Sequence, residues 1–390
     1  MKTITLLGSS SGRNAGDAAL VAGIMQSIDH ALGEKALYEI PTIRPRYIQE
    51  EYPFQVRPIS MLPWALSIKM LGLPTYRSML RADMSLIFDA ILFDRSLYNP
   101  LFNHMSSLYL MLPRIKKAGR KLGCFNVGCG PVTTKHGQKM LREISELMDF
   151  ITVRDQQSLE LLRGIGVKNT NITVTADAAL VMDPAPANRV SQILDRLGIK
   201  SQTEILAINI NQYLDTWADK KRGPLGKENF LNIYSAALNR LGAELSVPFM
   251  FVSTQHHDVP ITKELMTRVT KAKQTVLFSN TEYNHYDMKG VLGKASLLYG
   301  MRLHSIILAS SALTPVVGLL YQPKVGHYIE SIPLRDATIS FDDLDADTLY
   351  TFLKQSWERR AEIKQTLAQQ IPVLQARANL AAALVAKELA

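Results

Sequence analysis

The stretch "SLLYGMRLHSIILASSALTPVVGLLYQPK" (296–324) carries the residue types best suited to hold an anion. An apolar run gives way to a helical pattern at Gly300, Arg302 and His304. A guanidinium and an imidazole two positions apart at a strand-to-helix corner make an anion pocket with a titratable group, provided the turn is extended so that both project to one side. Lys324 follows the next apolar run and supplies a second cation. A second stretch, "ITVRDQQSLELLRGIGV" (151–167), sets Arg154 and Asp155 at the end of an apolar run, with Ser158 entering a helix. This reads either as a salt bridge with a helix cap, or as an arginine that clamps a carboxylate or phosphate through two parallel hydrogen bonds. A third, "LLGSSSGRNAGDAALVAGIM" (6–25), spends Gly8, Gly12, Asn14, Gly16 and Asp17 on one connection. Asn14, Gly16 and Asp17 fall at the start of a helix. Asp17 reads as its N-cap, and the backbone N–H groups there also suit an anion. The spacing fits neither a GxGxxG nor a Walker loop, so a nucleotide-phosphate motif is not supported.

The elements that must carry these residues alternate. Apolar β-rich runs include "TITLLG", "KLGCFNVGCG", "DFITVRD" and "NITVTAD", then "EILAININ", "PFMFVST", "TVLFSN", "SLLYGM" and "PVVGLLY". Helical spacing separates them. Continuous apolar strands alternating with helices predict an α/β fold with parallel sheets covered on both faces. At 390 residues the chain exceeds one hydrophobic core. A break at "DPAPANRV" (183–190) predicts an N-terminal α/β domain over 1–184, with a basic and apolar insertion at about 42–122. A second α/β domain follows over 185–347, and a helical tail over 348–390. Pro372 is expected to divide the tail, and Trp357, Ile363, Leu367 and Leu374 to form its apolar stripe.

The net charge is +9, and residues 42–122 hold 12 Lys/Arg against 5 Asp/Glu, a net of +7. That region reads as a solvated face or as one drawn to an anionic partner such as a membrane surface. "RPISMLPWALSIKMLGLPTYRSML" (57–80) reads as a buried lid or an amphipathic membrane-touching patch. Aromatic and basic residues do not interleave, so nucleic acid is not an expected partner. The two cysteines, Cys124 and Cys129, have no CxxC partner pair. They read as free thiols in a reducing compartment, and no metal site is expected. With neither a signal-peptide pattern nor a long apolar segment, the expected location is cytoplasmic, at most peripheral at the inner face of the membrane.

Together "GRNAGDAAL", "GCGPVT", "ITVRDQQSLELLRGIGV", "ITVTADAAL" and "YGMRLHSIILASSALTPVVGLLYQPK" resemble the polysaccharide pyruvyltransferase family, over residues 1–30 and in pieces over 120–330. The resemblance implies a GT-B-like fold: two doubly wound Rossmann-like domains facing a cleft, with a C-terminal helix crossing back. It implies transfer of a pyruvyl group from phosphoenolpyruvate to a sugar of a surface polysaccharide or its lipid-linked precursor, usually as a cyclic ketal. No cofactor is implied. Arg302 and His304 would meet the donor, with Arg154 a weaker candidate and Lys324 an added charge. His304 is the general acid candidate and Asp17 the base for the acceptor hydroxyl, while Asn14 and Gly16 line the substrate. One departure stands out. The family's glycine-rich run near residue 90 is replaced by "MSLIFDAILFDRSLYNP" (84–100), which has no glycine. A nucleotide-sugar-dependent GT-B glycosyltransferase and a non-catalytic glycan-binding relative remain as alternatives.

Overall fold

The computed structural model describes residues 1–61, 72–94, 104–200, 203–212, 225–321, 323–334 and 336–390. The apolar runs form strands. β1 (Thr3–Leu7), β2 (Leu37–Thr42), β3 (Val56–Ser60), β4 (Met84–Phe88), β5 (Lys121–Val127), β6 (Phe150–Val153) and β7 (Ile172–Val174) make a seven-stranded sheet of order β3-β2-β1-β4-β5-β6-β7. β8 (Leu206–Asn209), β9 (Pro248–Ser253), β10 (Gln274–Ser279), β11 (Leu297–Gly300), β12 (Val316–Leu320) and β13 (Thr338–Ser340) make a six-stranded sheet of order β10-β9-β8-β11-β12-β13. Every pairing is parallel. The central strands β4, β6, β8, β9 and β11 are buried along their whole length. Helices cover both faces of such strands, which is why they read as unbroken apolar runs.

The chain forms two compact units. One comprises Met1–Gly12, Asp17–Met182 and Leu374–Ala390, and the other Arg13–Gly16 and Asp183–Val373. Sequence composition assigns residues 13–16 to the first domain and 374–390 to a separate tail, and the contacts group both segments otherwise. The helix Arg360–Leu389 therefore begins in the second unit and ends in the first.

Pro372 does not divide the tail: it lies inside Arg360–Leu389, and the break falls at Arg359, after the helix Ala346–Glu358. A proline removes one backbone donor and crowds the carbonyl four residues before it. Pro372 and Ala368 are both exposed, so the freed carbonyl lies on the solvent side of the helix. Trp357, Ile363, Leu367 and Leu374 are buried, as the stripe requires.

β2 does not read as a core strand because it carries Pro41 and Glu39. Glu39 is fully buried, and it is satisfied by Ser78 Oγ at 2.5 Å, Arg57 Nη1 at 3.0 Å, and Arg81 Nε at 2.9 Å and Nη2 at 2.7 Å. Two cations and a hydroxyl offset the cost of burying that carboxylate. The lid or membrane patch expected over 57–80 lies partly outside the described residues, at 62–71, as does the end of the glycine-free run, at 95–100.

Candidate functional site

In a doubly wound sheet, ligands bind outside the carboxyl ends of the strands, where strand order reverses. In the second unit that point lies between β8 and β11. β11 ends at Gly300, and Arg302 is the N-cap of the helix Leu303–Ser311, with φ −78° and ψ 126°. His304 is therefore the second residue of the helix and not part of an extended turn. The corner is fixed from the neighbouring strand. Asn209, the last residue of β8, accepts from the Arg302 backbone N–H and the Ser305 hydroxyl through Oδ1, both at 2.9 Å. It donates from Nδ2 to the Val252 carbonyl at 2.9 Å. No side chain caps the helix, and a helix N-terminus favours negative charge beside it.

Asp258 decides where Arg302 points. It is 0% exposed and closes the turn after β9. Its Oδ2 accepts from Arg302 Nε at 2.7 Å and its Oδ1 from Nη2 at 2.8 Å. Oδ1 also accepts from the Gln212 N–H at 3.2 Å. The Arg302 side chain remains 20% exposed. Tyr321, just after β12, faces this pair. Burial raises its phenol pKa, while the Arg302 charge and a hydrogen bond from Asn211 Nδ2 at 2.7 Å oppose the rise.

Residues 13–16 of the opening loop are bound into the same unit. The Ala15 N–H donates to the Thr254 carbonyl at 2.8 Å, and the Arg13 carbonyl accepts from the His256 N–H at 3.1 Å and from Asn280 Nδ2 at 3.0 Å. Asn14 bridges to Gln255. Gly16 then rests against His304. A Cβ at Gly16 would come within 2.2 Å of the imidazole Cγ and Nδ1, so only glycine fits. The N-cap role open to Asp17 belongs to Asn14 instead. Its Oδ1 accepts from the Gly16 N–H at 2.9 Å, and Asp17 stands in the first turn of the helix Ala15–Leu32. The structure thus brings together Asn14, Gly16, Arg302 and His304. Lys324 stands exposed near the start of the helix Pro323–Ser331.

Arg154 belongs to the first unit. Its Nη1 lies 3.2 Å from Asp177 Oδ2 and its Nε 3.6 Å from Asp155 Oδ2, and its side chain is almost entirely buried. Asp155 also caps the helix Gln156–Gly164 by accepting from the Ser158 N–H at 2.8 Å. The salt-bridge-and-cap arrangement is therefore present. The guanidinium lies on Gly128, where a Cβ would approach it to 2.7 Å. Burial pushes the Cys129 thiol up to about 12, and the Cys124 thiol is raised for the same reason, so both stay protonated near neutrality.

Spacing gives no hint of Asp258 or Asn209. The usable signal is that each is a polar residue at or just past the end of an apolar strand, in "AININ" and "FVSTQHHD". In the basic region 42–122, Arg57 and Arg81 pair with Glu39, Lys116 with Asp149 and Lys121 with Glu388. Among the described residues, no helix is long and apolar enough to cross a membrane.

A family model described as polysaccharide pyruvyl transferase matches residues 14–323. No curated protein matches. Among solved structures, the UDP-GlcNAc 2-epimerase from Neisseria meningitidis bound to UDP-GlcNAc is similar at a TM-score of 0.66 and 11% identity, covering 100% of this chain and 99% of that one. Anabaena HepE in complex with UDP-glucose is similar at 0.62 and 12% identity, covering 100% and 99%. The ADP-heptose lps heptosyltransferase II of E. coli is similar at 0.52 and 11% identity, covering 93% and 100%. At these identities the likeness shows the fold, which is the α/β GT-B type with two parallel, doubly wound sheets.

Proposed function

The chain belongs to the polysaccharide pyruvyl transferase family, and we propose that it transfers a pyruvyl group from phosphoenolpyruvate to a saccharide, closing a ketal on two hydroxyls. The observation that carries this reading is the Arg302 guanidinium, held by Asp258 beside the uncapped N-terminus of Leu303–Ser311 and next to His304. Phosphoenolpyruvate presents a carboxylate and a phosphate on three carbons. A fixed guanidinium at a helix N-terminus suits such a cluster of charge, and preorganised groups of this kind contribute several kcal/mol to transition-state stabilisation.

His304 delivers a proton to the methylene carbon, leaving an oxocarbenium-like centre at C2. An acceptor hydroxyl adds there and gives its proton to Asp17. The C–O bond to phosphate then breaks, the phosphate leaves with the electron pair, and the second hydroxyl closes the ring as its proton passes to phosphate or water. Lys324 is a further anion ligand in this reading, and Asn14 and Gly16 line the substrate; Arg154, engaged by Asp155 and Asp177, is not needed for the donor. The acceptor is a polysaccharide unit or its lipid-linked precursor.

The basic region would bring the protein to anionic lipid. Leu73, on the helix Gly72–Arg81, and Leu110, on the helix His104–Lys117, are exposed, and Arg114, Lys116 and Lys117 close the second of these helices. Partition onto anionic but not neutral liposomes tests that contact. A second reading, a nucleotide-sugar donor on the same scaffold, draws on the UDP and UDP-sugar complexes of the structural neighbours.

The deciding experiment incubates the protein with phosphoenolpyruvate and lipid-linked oligosaccharides and weighs the products. A gain of pyruvate less water, with release of inorganic phosphate, supports the ketal. Release of a nucleoside diphosphate from a nucleotide sugar instead would establish the second reading.

A further inference from the structure

The first unit holds a second cluster at carboxyl strand ends. Its strand order reverses between β1 and β4, and β4 ends at Phe88. Asp89 follows immediately, with φ +65°. This left-handed conformation is one that glycine adopts freely and aspartate only at a cost. The backbone thus keeps a glycine-like conformation while a carboxylate occupies the position, as strained residues at binding sites do.

That carboxylate is poised for a ligand. Asp89 is 9% exposed, and among the described residues it makes no hydrogen bond and no close ion pair. The neighbouring buried carboxylates are filled. Asp94 accepts from the Thr133 N–H at 2.7 Å and the Thr134 N–H at 2.5 Å. Asp177 accepts from the Ala179 N–H and from Arg154. A buried carboxylate with open acceptor capacity is the exception in folded proteins.

Its surroundings narrow the class of ligand. Asp89 lies close enough to Arg154 and to His104 to interact with each electrostatically. Arg154 is already engaged by Asp177 and Asp155. Burial holds the His104 imidazole below its ordinary range, which favours the neutral form. Three carboxylates around one guanidinium leave the cluster net negative, which repels phosphates and carboxylates. An acceptor-only carboxylate beside a neutral imidazole, which both donates and accepts, matches hydroxyl groups.

We propose that Asp89, with His104 beside it, binds the hydroxyls of a neutral saccharide at the β1/β4 crevice of the first unit. The inference deepens the transferase reading, on which it rests, by naming where the acceptor is recognised. It makes Asp89 a binding residue of the first unit.

The test uses the full-length protein on an array of defined neutral oligosaccharides, with Asp89→Gly and Asp89→Asn as variants. Glycine relieves the left-handed backbone and asparagine tolerates it, so both should fold, and melting curves check this. Wild type is expected to retain at least one neutral saccharide. Both variants should bind it about tenfold or more weakly, while phosphoenolpyruvate affinity by calorimetry stays at the wild-type value. Equal saccharide binding by wild type and both variants would overturn the proposal. So would a wild type that binds no member of the array, or one that binds only amino sugars. If wild type fails to bind phosphoenolpyruvate but loses saccharide binding in Asp89→Gly, the pyruvyl reading falls and the saccharide site stands.

Discussion

Asp258 grips Arg302 through two parallel hydrogen bonds, at 2.7 and 2.8 Å, from a position that is itself fully buried. The Nε and Nη2 edge of the guanidinium is held inside the protein, and the side chain as a whole keeps 20% exposure. Lysine cannot reproduce that fork. Arg302→Lys is expected to fold and to lose about tenfold or more in kcat/KM for phosphoenolpyruvate, read by phosphate release. Arg302→Ala additionally strands a buried carboxylate and should lower stability by about 3 kcal/mol in a urea titration. Wild-type turnover by Arg302→Lys would remove this arginine from the donor site.

Gly16→Ala places a methyl against the His304 ring, where the separation would be 2.2 Å. Either the opening loop or the imidazole must move. The expected cost is about 1–3 kcal/mol of stability, as for other overpacked sites, with a fall in turnover per folded molecule. Thermal melts and single-turnover assays separate the two effects. An unaltered melting temperature would mean that the loop does not rest on His304 in solution.

His304→Ala and Asp17→Asn test the proton transfers. Each is expected to lower kcat by about a hundredfold or more, the usual scale of general acid or base catalysis. Calorimetry on the same variants should still detect phosphoenolpyruvate with Asp17→Asn. Near-wild-type kcat in both would leave the acid and the base to be sought elsewhere.

Much of this site was legible from residue type and position, and the rest depended on tertiary contacts. Arg302 and His304 stand out because a strand-turn-helix pattern surrounds them, and that pattern is local. Asp258 lies 44 residues upstream of Arg302, and nothing in its own neighbourhood names its partner. Asp89 sits in an ordinary-looking apolar stretch, and only the dihedral angle shows that it holds a glycine-like conformation. β2 is obscured by Glu39, whose burial makes sense only once Arg57, Ser78 and Arg81 converge on it. Pro372 misleads for the opposite reason: a local rule for ending helices gives way where the freed carbonyl meets solvent.

Acid stability should follow His285. This imidazole is 1% exposed, and burial pushes its pKa down to about 3. The unfolded chain binds a proton near pH 6.5 and the native state does not. Stability attributable to this group is therefore complete above about pH 6.5. It is lost as pH falls toward 3, at about 1.4 kcal/mol per pH unit between those limits. Urea titrations at pH 7, 6, 5 and 4 (on the order of 1 unit apart) measure the slope. His285→Gln should flatten it, and an equal slope in the variant would assign the acid sensitivity to other groups.

The path of the chain sets a limit on how the protein can be cut. A fragment ending at Met182 would lack Arg377, Gln375 and Ala378, which close the Thr175 and Leu180 carbonyls and the Asn126 amide at the carboxyl edge of the first sheet. A fragment beginning at Asp183 would lack the strap of residues 13–16 that covers Thr254 and His304. Neither half of the gene encodes a self-sufficient module. Split versions should regain structure only when both pieces are supplied together.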